Sequence, residues 1–158
     1  MVVLFLVVLV DMLGFTIVIP FLTYFIQDLA SGQGITDVGN RDFWVGVVIA
    51  VYSLAQFLFT PVLGSMSDRI GRRPILMFGL ISNSVFFIVF GLSNSLEMAI
   101  AARFLAGAGN GNIAVARAYI GDISESGMVA RRMGMIGAAF GLGFMTVSYT
   151  HLTLPTKA

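Results

Sequence analysis

The chain contains no cysteine and a single histidine, His151. Without cysteine it can form neither a disulfide nor a thiolate metal site, so cysteine usage carries no information on the redox compartment. One histidine provides no material for a metal-binding cluster or for a Ser/His/Asp triad. We therefore expect no metal, no cofactor and no enzymatic activity.

Charged residues are scarce as well, at 11% of the sequence with a net charge of +1 at pH 7. So small a net charge gives no reason to expect nucleic acid or an acidic partner. Hydrophobic residues make up 58% of the chain, compared with about 45–50% in soluble domains. Because this excess is arranged in long runs, the sequence predicts an integral membrane protein whose first partner is the lipid bilayer.

The apolar residues fall into five segments, and a helix needs about 20 residues to cross the hydrocarbon core of a bilayer. We predict helices over roughly residues 2–26, 43–66, 75–92, 97–120 and from 133 to 146 or beyond. The predicted fold class is therefore an all-α membrane protein with five transmembrane helices. Pro20 should bend the first helix, and the polar stretch 27–42 is predicted to be an exposed loop.

A charged motif lies between the second and third segments and reads Gly64-Ser-Met-Ser-Asp68-Arg69-Ile-Gly71-Arg72-Arg73-Pro74. Its two bracketing glycines suit a tight reversal of the chain around the aspartate. Arginines beside a membrane segment indicate the side of the bilayer that they face. An ordinary positive-inside loop would need the arginines, but it would not need the glycines and the aspartate at fixed spacing.

This spacing resembles the signature loop between the second and third helices of major facilitator superfamily transporters. The stretch VYSLAQFLFTPVLGSMSDRIGRRPIL resembles the drug:proton antiporter branch of that superfamily, including its tetracycline-efflux members. Asp11, Gly14 and Pro20 are similar to the first-helix pattern of the branch, and RFLAGAGNGN to its fourth-helix pattern. The resemblance implies most of an N-terminal six-helix half, built from inverted three-helix repeats, with a C-terminal half as its missing partner.

Two charged residues lie within the predicted membrane segments. Asp11 lies about 14 Å along the first helix from Val2, at 1.5 Å per residue, and such acids usually belong to a proton relay or a substrate path. Burial disfavours the charged form, so Asp11 is the candidate proton carrier, unless it is a rim residue that reaches water. Arg103 stays charged and must pair or face water; the resemblance implies that it tunes protonation of Asp11. Spacing alone does not place the two on facing surfaces.

Other polar residues form a predicted cytoplasmic rim and candidate cavity positions. The resemblance implies that Asp68, Arg72 and Asp122 form a charge relay that stabilises the outward-open state. The predicted gating loop and rim comprise Gly64, Asp68, Arg69, Gly71, Arg72, Arg73 and Asp122. The residues alone indicate only a solvated charged cluster, whose ion pairs are typically worth about 0–1 kcal/mol. Gln56 and Asn110 lie inside apolar segments and either line a cavity or form hydrogen bonds across helices.

Glycine is abundant, with 18 residues, and small residues let membrane helices approach closely. The candidates for tight helix packing are Gly107, Gly111, Gly134, Gly137, Gly141 and Gly143. Gly134 and Gly143 also fit the fifth-helix pattern of the antiporter branch, which then requires Gly-Pro where this chain has Val147 and Ser148. From Val147 the string VSYTHLTLPT resembles the translation of a transposase adapter used in short-read library preparation. We therefore expect residues 147–158 to be a non-native tail; the alternative is a divergent end of the fifth helix.

The favoured function is that of the N-terminal part of a proton-coupled efflux antiporter of the multidrug or tetracycline type, with a small-molecule substrate and the proton as coupling ion. An uptake transporter for a sugar or metabolite, or a non-transporting membrane bundle, remains an alternative. The loops after segments two and four hold more arginines than the other loops, which predicts a cytoplasmic N-terminus, in a bacterial inner membrane. Neither the substrate nor the direction of transport follows from the sequence.

Overall fold

A computed structural model describes residues 2–125 and 127–153, and within these ranges it contains six helices and no strand. The helices are α1 (Val2–Gly32), α2 (Val38–Ile70), α3 (Arg72–Gly91), α4 (Leu96–Gly109), α5 (Asn112–Ile123) and α6 (Val129–Thr153). Among the described residues, three stretches are long and apolar enough to cross a membrane: Phe5–Gly32, Val38–Ile70 and Arg72–Gly91.

The first two helices extend into residues 27–42, where the sequence predicts an exposed loop. α1 continues to Gly32 and α2 begins at Val38, so only a short link separates them. The Asp37 side chain accepts a hydrogen bond from the Asn40 backbone N–H at 3.0 Å. This N-cap satisfies a donor of the first turn, so the helix can begin before the apolar run does. Pro20 lies inside α1 without ending it.

A single residue, Gly71, joins α2 to α3. Its φ of 108° lies in the region that glycine adopts readily and other residues rarely do. The Gly71 N–H donates to the Ser67 carbonyl oxygen at 3.1 Å, which closes the last turn of α2. Gly64 does not take part in this reversal, because it lies inside α2.

The fourth predicted segment, 97–120, is divided into two helices in the structure. α4 ends at Gly109 and α5 begins at Asn112; Asn110 between them has φ −95° and ψ 77°, outside the helical region. The run Gly107-Ala-Gly109-Asn110-Gly111 favours a break, because glycine has a low helix propensity. α4 and α5 have 14 and 12 residues, so each alone is shorter than the roughly 20 residues of a membrane span.

The chain forms two compact units: Met1–Pro20 with Arg117–Ala158, and Phe21–Ala116. In the second unit α4 packs against α2 and α3, and its buried positions include the small residues Ala99, Ala102 and Ala106. In the first unit, a β-carbon added to Gly143 of α6 would lie 3.1 Å from Met12 Cβ of α1. α6 continues to Thr153. Residues 154–158 lie outside the described residues, and the non-native origin of the tail stays a prediction.

Candidate functional site

Arg103 of α4 is buried against three aromatic rings. Its side chain is 4% exposed, and its Cζ atom lies 4.1 Å from the ring centroid of Phe90, 5.3 Å from that of Phe87 and 5.9 Å from that of Tyr52. All three distances fall within the range of about 6 Å for cation–π attraction, which is strongest when the cation is desolvated. Tyr52, Phe87 and Phe90 are referred to below as the aromatic cage.

The N–H groups along one edge of the Arg103 guanidinium have no hydrogen-bond acceptor within the described residues. Its Nε and Nη2 atoms are buried and have no hydrogen-bond acceptor within the described ranges. Nε–H and one Nη–H point the same way from the guanidinium and can bind the two oxygens of a carboxylate. The aromatic cage thus contacts the cation without supplying a hydrogen-bond acceptor to these two nitrogen atoms.

The break between α4 and α5 is hydrogen-bonded to α2. The Asn110 side chain donates through Nδ2 to the Tyr52 hydroxyl at 2.6 Å, and Gln56 Nε2 donates to the Asn110 carbonyl oxygen at 3.0 Å. A helix break frees backbone carbonyl groups, and an unsatisfied carbonyl inside a membrane costs several kcal/mol. α2 thus supplies both an acceptor for the side chain and a donor for the freed carbonyl.

The two candidate cavity residues have different surroundings. Gln56 lines an open cavity of about 420 Å³ on α2, in addition to its bond to Asn110. Asn110 is buried, and its side chain donates to Tyr52 across the helix pair. Both residues thus form hydrogen bonds across helices, and a role of either one in a substrate cavity stays a prediction.

Glycines allow the helices to approach closely around this break. A β-carbon added to Gly107 would meet the Tyr52 carbonyl oxygen and lie 3.1 Å from Ala55 Cβ, and one added to Gly111 would lie 2.8 Å from Leu63 Cδ1. The glycines of α6 are placed differently. Gly134, Gly137 and Gly141 have no atom within 4 Å of such a β-carbon in the part of the chain that the structure describes, whereas Gly143 packs on Met12.

Asp11 lies in the first compact unit, on α1. Its side chain is 3% exposed, and the neighbouring Met12 is also buried. One turn further along, the buried Thr16 hydroxyl donates to the Met12 carbonyl oxygen at 2.7 Å. Asp11 is thus a buried acid rather than a water-exposed residue at the start of the helix.

The charged motif forms a local network at the α2–α3 junction. Arg72 Nη2 lies 2.6 Å from Asp68 Oδ1, and Arg72 Nη1 donates to the Ser67 hydroxyl at 2.5 Å. The buried Ser67 hydroxyl in turn donates to the Gly64 carbonyl oxygen at 2.7 Å. The Asp68 side chain is 60% exposed and that of Arg72 17% exposed, so water screens their attraction.

The remaining rim residues are exposed. Arg69 and Arg73 lie on either side of Gly71 and are both accessible to solvent. Asp122 is exposed in the last turn of α5 and belongs to the first compact unit. Within the described residues, no three or more histidine, cysteine, aspartate or glutamate side chains are grouped as metal ligands.

Sequence reasoning missed four residues of these sites: Tyr52, Phe87, Phe90 and Ser67. Tyr52 lies four residues before Gln56, on the same face of α2, so helical spacing could have grouped the two. Phe90 is one of 14 phenylalanines, and nothing in its local sequence separates it from a residue that faces lipid. Ser67 directly precedes Asp68, but only the fold shows that it is buried and bonded to Arg72.

The apolar helices, with a buried acid and a buried arginine among them, define an integral membrane protein of the all-α class. The sequence model of the Major Facilitator Superfamily matches residues 4–150, and the chain belongs to this family of membrane transporters. The match confirms the predicted family and the predicted fold class, which is that of an N-terminal half of the major facilitator fold.

Several curated proteins are similar to most of this chain. It is 34% identical over 137 residues to the class B tetracycline resistance protein of Escherichia coli, covering 87% of this chain and 33% of the relative. The class C protein of the same species is 36% identical over 135 residues, which are 85% of this chain and 33% of the relative. Protein ZINC INDUCED FACILITATOR 1 of Arabidopsis thaliana is 35% identical over 126 residues, 80% of this chain and 25% of the relative. The chain thus spans about a third of the length of the tetracycline resistance proteins that it matches.

Proposed function

We propose that the chain is the N-terminal part of a proton-coupled transporter that exports a small drug-like molecule. The observation that carries the proposal is the presence of two buried ionisable side chains, Asp11 and Arg103, within apolar helices. Intramembrane ionisable groups are expensive and usually mark a path for protons or substrate. The similarity to proteins named for tetracycline resistance favours export of a drug. The proposed location is a bacterial inner membrane, with the N-terminus in the cytoplasm.

In this proposal Asp11 carries the proton and Arg103 adjusts how readily it binds. A nearby cation favours a carboxylate and burial favours its neutral form, so the two effects together allow proton loading and release. A helix movement that changes the environment of either group would then change proton affinity, which links proton binding to substrate binding. Alternating access of the substrate site would come from rocking of this half against the C-terminal half.

The direct test is transport by the full-length protein in inverted membrane vesicles. We expect tetracycline to accumulate when the vesicle interior is made acidic, and the accumulation to collapse when a protonophore is added. The 158-residue chain alone should give no accumulation, because alternating access requires two halves. Tetracycline accumulation by the full-length protein that does not depend on the pH gradient would contradict proton coupling. Transport of a sugar or metabolite in its place would favour the uptake alternative.

We further propose that the Asp68–Arg72 network gates the cytoplasmic side. Asp68→Asn should leave stability almost unchanged, because exposed ion pairs contribute about 0–1 kcal/mol. Turnover should fall about tenfold, which requires a shift of only about 1.4 kcal/mol between the inward-open and outward-open states. The measurement is cysteine accessibility on both faces of the membrane, with transport followed in parallel.

The matched control for this variant is Asp42→Asn. Asp42 is also exposed and also has a side-chain partner, since Gln27 Nε2 donates to its Oδ1 at 2.7 Å. It lies outside the motif, so we expect normal transport and an unchanged accessibility pattern. Wild-type accessibility and wild-type transport in Asp68→Asn would show that the network has no gating role.

A further inference from the structure

The rings around Arg103 are themselves held in place. Phe90 is 2% exposed and meets the edge of Phe25 at a centroid distance of 5.2 Å and an interplanar angle of 64°. Phe25 in turn stacks on Phe21 at 5.4 Å and 16°. Tyr52 accepts a hydrogen bond from Asn110. Two of the three rings of the cage thus have further contacts, and Phe90 is the ring nearest to the cation.

A ring face and a hydrogen-bonding side chain support a guanidinium in different ways. A carboxylate or amide partner would occupy the N–H groups, which lie in the plane of the guanidinium. A cation–π contact uses no hydrogen-bond acceptor, and the Nε and Nη2 atoms of Arg103 have no acceptor within the described residues although Phe90 lies close to the cation. Support from an aromatic ring thus suits an arginine whose hydrogen-bond acceptor changes between charged and neutral forms, as a proton-carrying carboxylate does.

We propose that Phe90 is a positioning residue for Arg103: its ring holds the guanidinium in place while the Nε and Nη2 edge binds and releases a carboxylate. The inference extends the proposed function, because it assigns a role to a residue outside the buried acid and arginine. A positioning role for Phe90 differs from a simple packing role in one respect. A packing role requires an apolar group of the right volume at position 90, whereas a positioning role requires an aromatic face.

The first experiment measures the position of Arg103 and does not depend on transport. The chain is labelled with ¹⁵N at arginine Nε and reconstituted in lipid nanodiscs, and the Arg103 signal is assigned by its loss in Arg103→Lys. Arg103 Cζ also lies 5.9 Å from the Tyr52 ring centroid and 5.3 Å from that of Phe87. Nuclear Overhauser effects (NOEs) from the Arg103 Nε–H to the ring protons of Tyr52 and Phe87 therefore report where the guanidinium lies when position 90 is changed. We expect these NOEs in the wild type and in Phe90→Tyr, and their loss in Phe90→Leu. NOEs in Phe90→Leu that equal those of the wild type would overturn the proposal.

The second experiment measures turnover in the full-length protein. Phe90→Leu should lower kcat for efflux about tenfold, in line with the strength of a desolvated cation–π contact, with KM changed less than about twofold because substrate binding is retained. Phe90→Tyr should restore kcat, since it keeps the aromatic face. Phe78→Leu, an exposed position on the same helix, is the matched control and should behave as the wild type.

The outcomes separate the inference from the proposed function. If the wild type shows no proton-coupled efflux, the proposed function fails, and the NMR experiment still decides whether Phe90 positions Arg103. If Phe90→Leu transports normally although its Arg103 NOEs to Tyr52 and Phe87 are lost, Phe90 does not position the cation for transport and the inference is wrong. If Phe90→Leu does not fold, the comparison of Phe90→Tyr with wild type decides: loss of these NOEs in a folded Phe90→Tyr protein would contradict the proposal.

Discussion

Asp11→Asn is expected to abolish efflux driven by a pH gradient, while substrate binding and downhill exchange continue. Asparagine has nearly the size of aspartate and can still form hydrogen bonds, but it cannot take up or release a proton. The position is 3% exposed, so water should not replace the lost carboxylate. If Asp11 carries the coupled proton, uphill transport should fall to the level of vesicles that lack the protein.

The experiment compares three variants in inverted vesicles of the full-length protein. Asp11→Glu keeps a titrating carboxyl group at nearly the same place and should retain part of the coupling. Asp28→Asn removes an exposed acid near the other end of α1 and should transport normally. Accumulation of substrate against its gradient by Asp11→Asn under an imposed pH difference would mean that another residue carries the proton.

Gly107→Ala is expected to destabilise the packing of α4 on α2 by about 1–3 kcal/mol, the usual cost of overpacking a well-packed interior. The added methyl group would meet the carbonyl oxygen of Tyr52 and lie 3.1 Å from Ala55 Cβ. Both contacts belong to the backbone or its first side-chain atom, which cannot rotate away as a long side chain can. Relief therefore requires the two helices to separate, and this would also strain the bond between Tyr52 and Asn110.

The measurement is thermal or denaturant unfolding of the purified chain in detergent, together with the yield of monodisperse protein. Gly46→Ala is the control, because it lies in α2 and has no atom within 4 Å of the added carbon in the described part of the chain. Replacing a helical glycine by alanine at an open site should be neutral or stabilising, by up to about 1 kcal/mol. Equal stabilities of the two variants would show that α2 and α4 do not approach so closely at Gly107.

The family, most of the helices and the buried positions of the ionisable groups Asp11 and Arg103 could be predicted from the sequence. A long apolar run predicts a transmembrane helix, because a helix satisfies its backbone hydrogen bonds within the segment. The motif around Asp68 has a spacing that few other loops share. The function of Gly71 also follows from local chemistry, because a one-residue link between helices requires a backbone conformation that glycine adopts easily.

Other features depend on partners that are distant in sequence. The division of the fourth segment at Asn110 needs Tyr52 and Gln56 on α2, which lie more than fifty positions earlier. The aromatic cage could not be predicted, since phenylalanines are common on lipid-facing surfaces. Similarly, Gly107 and Gly137 look equivalent as small residues in helices. Of these two, Gly107 alone meets a backbone group of a neighbouring helix within the described residues.

The break at Asn110 also has a consequence for how the protein is inserted into the membrane. A helix with an interruption is a poor independent span, because its freed carbonyl would face hydrocarbon without a donor. Here the donor is Gln56 of α2, which the ribosome synthesises before α4. The second span is thus already available when the interrupted one emerges, and we expect entry of the fourth segment into the bilayer to depend on the second span.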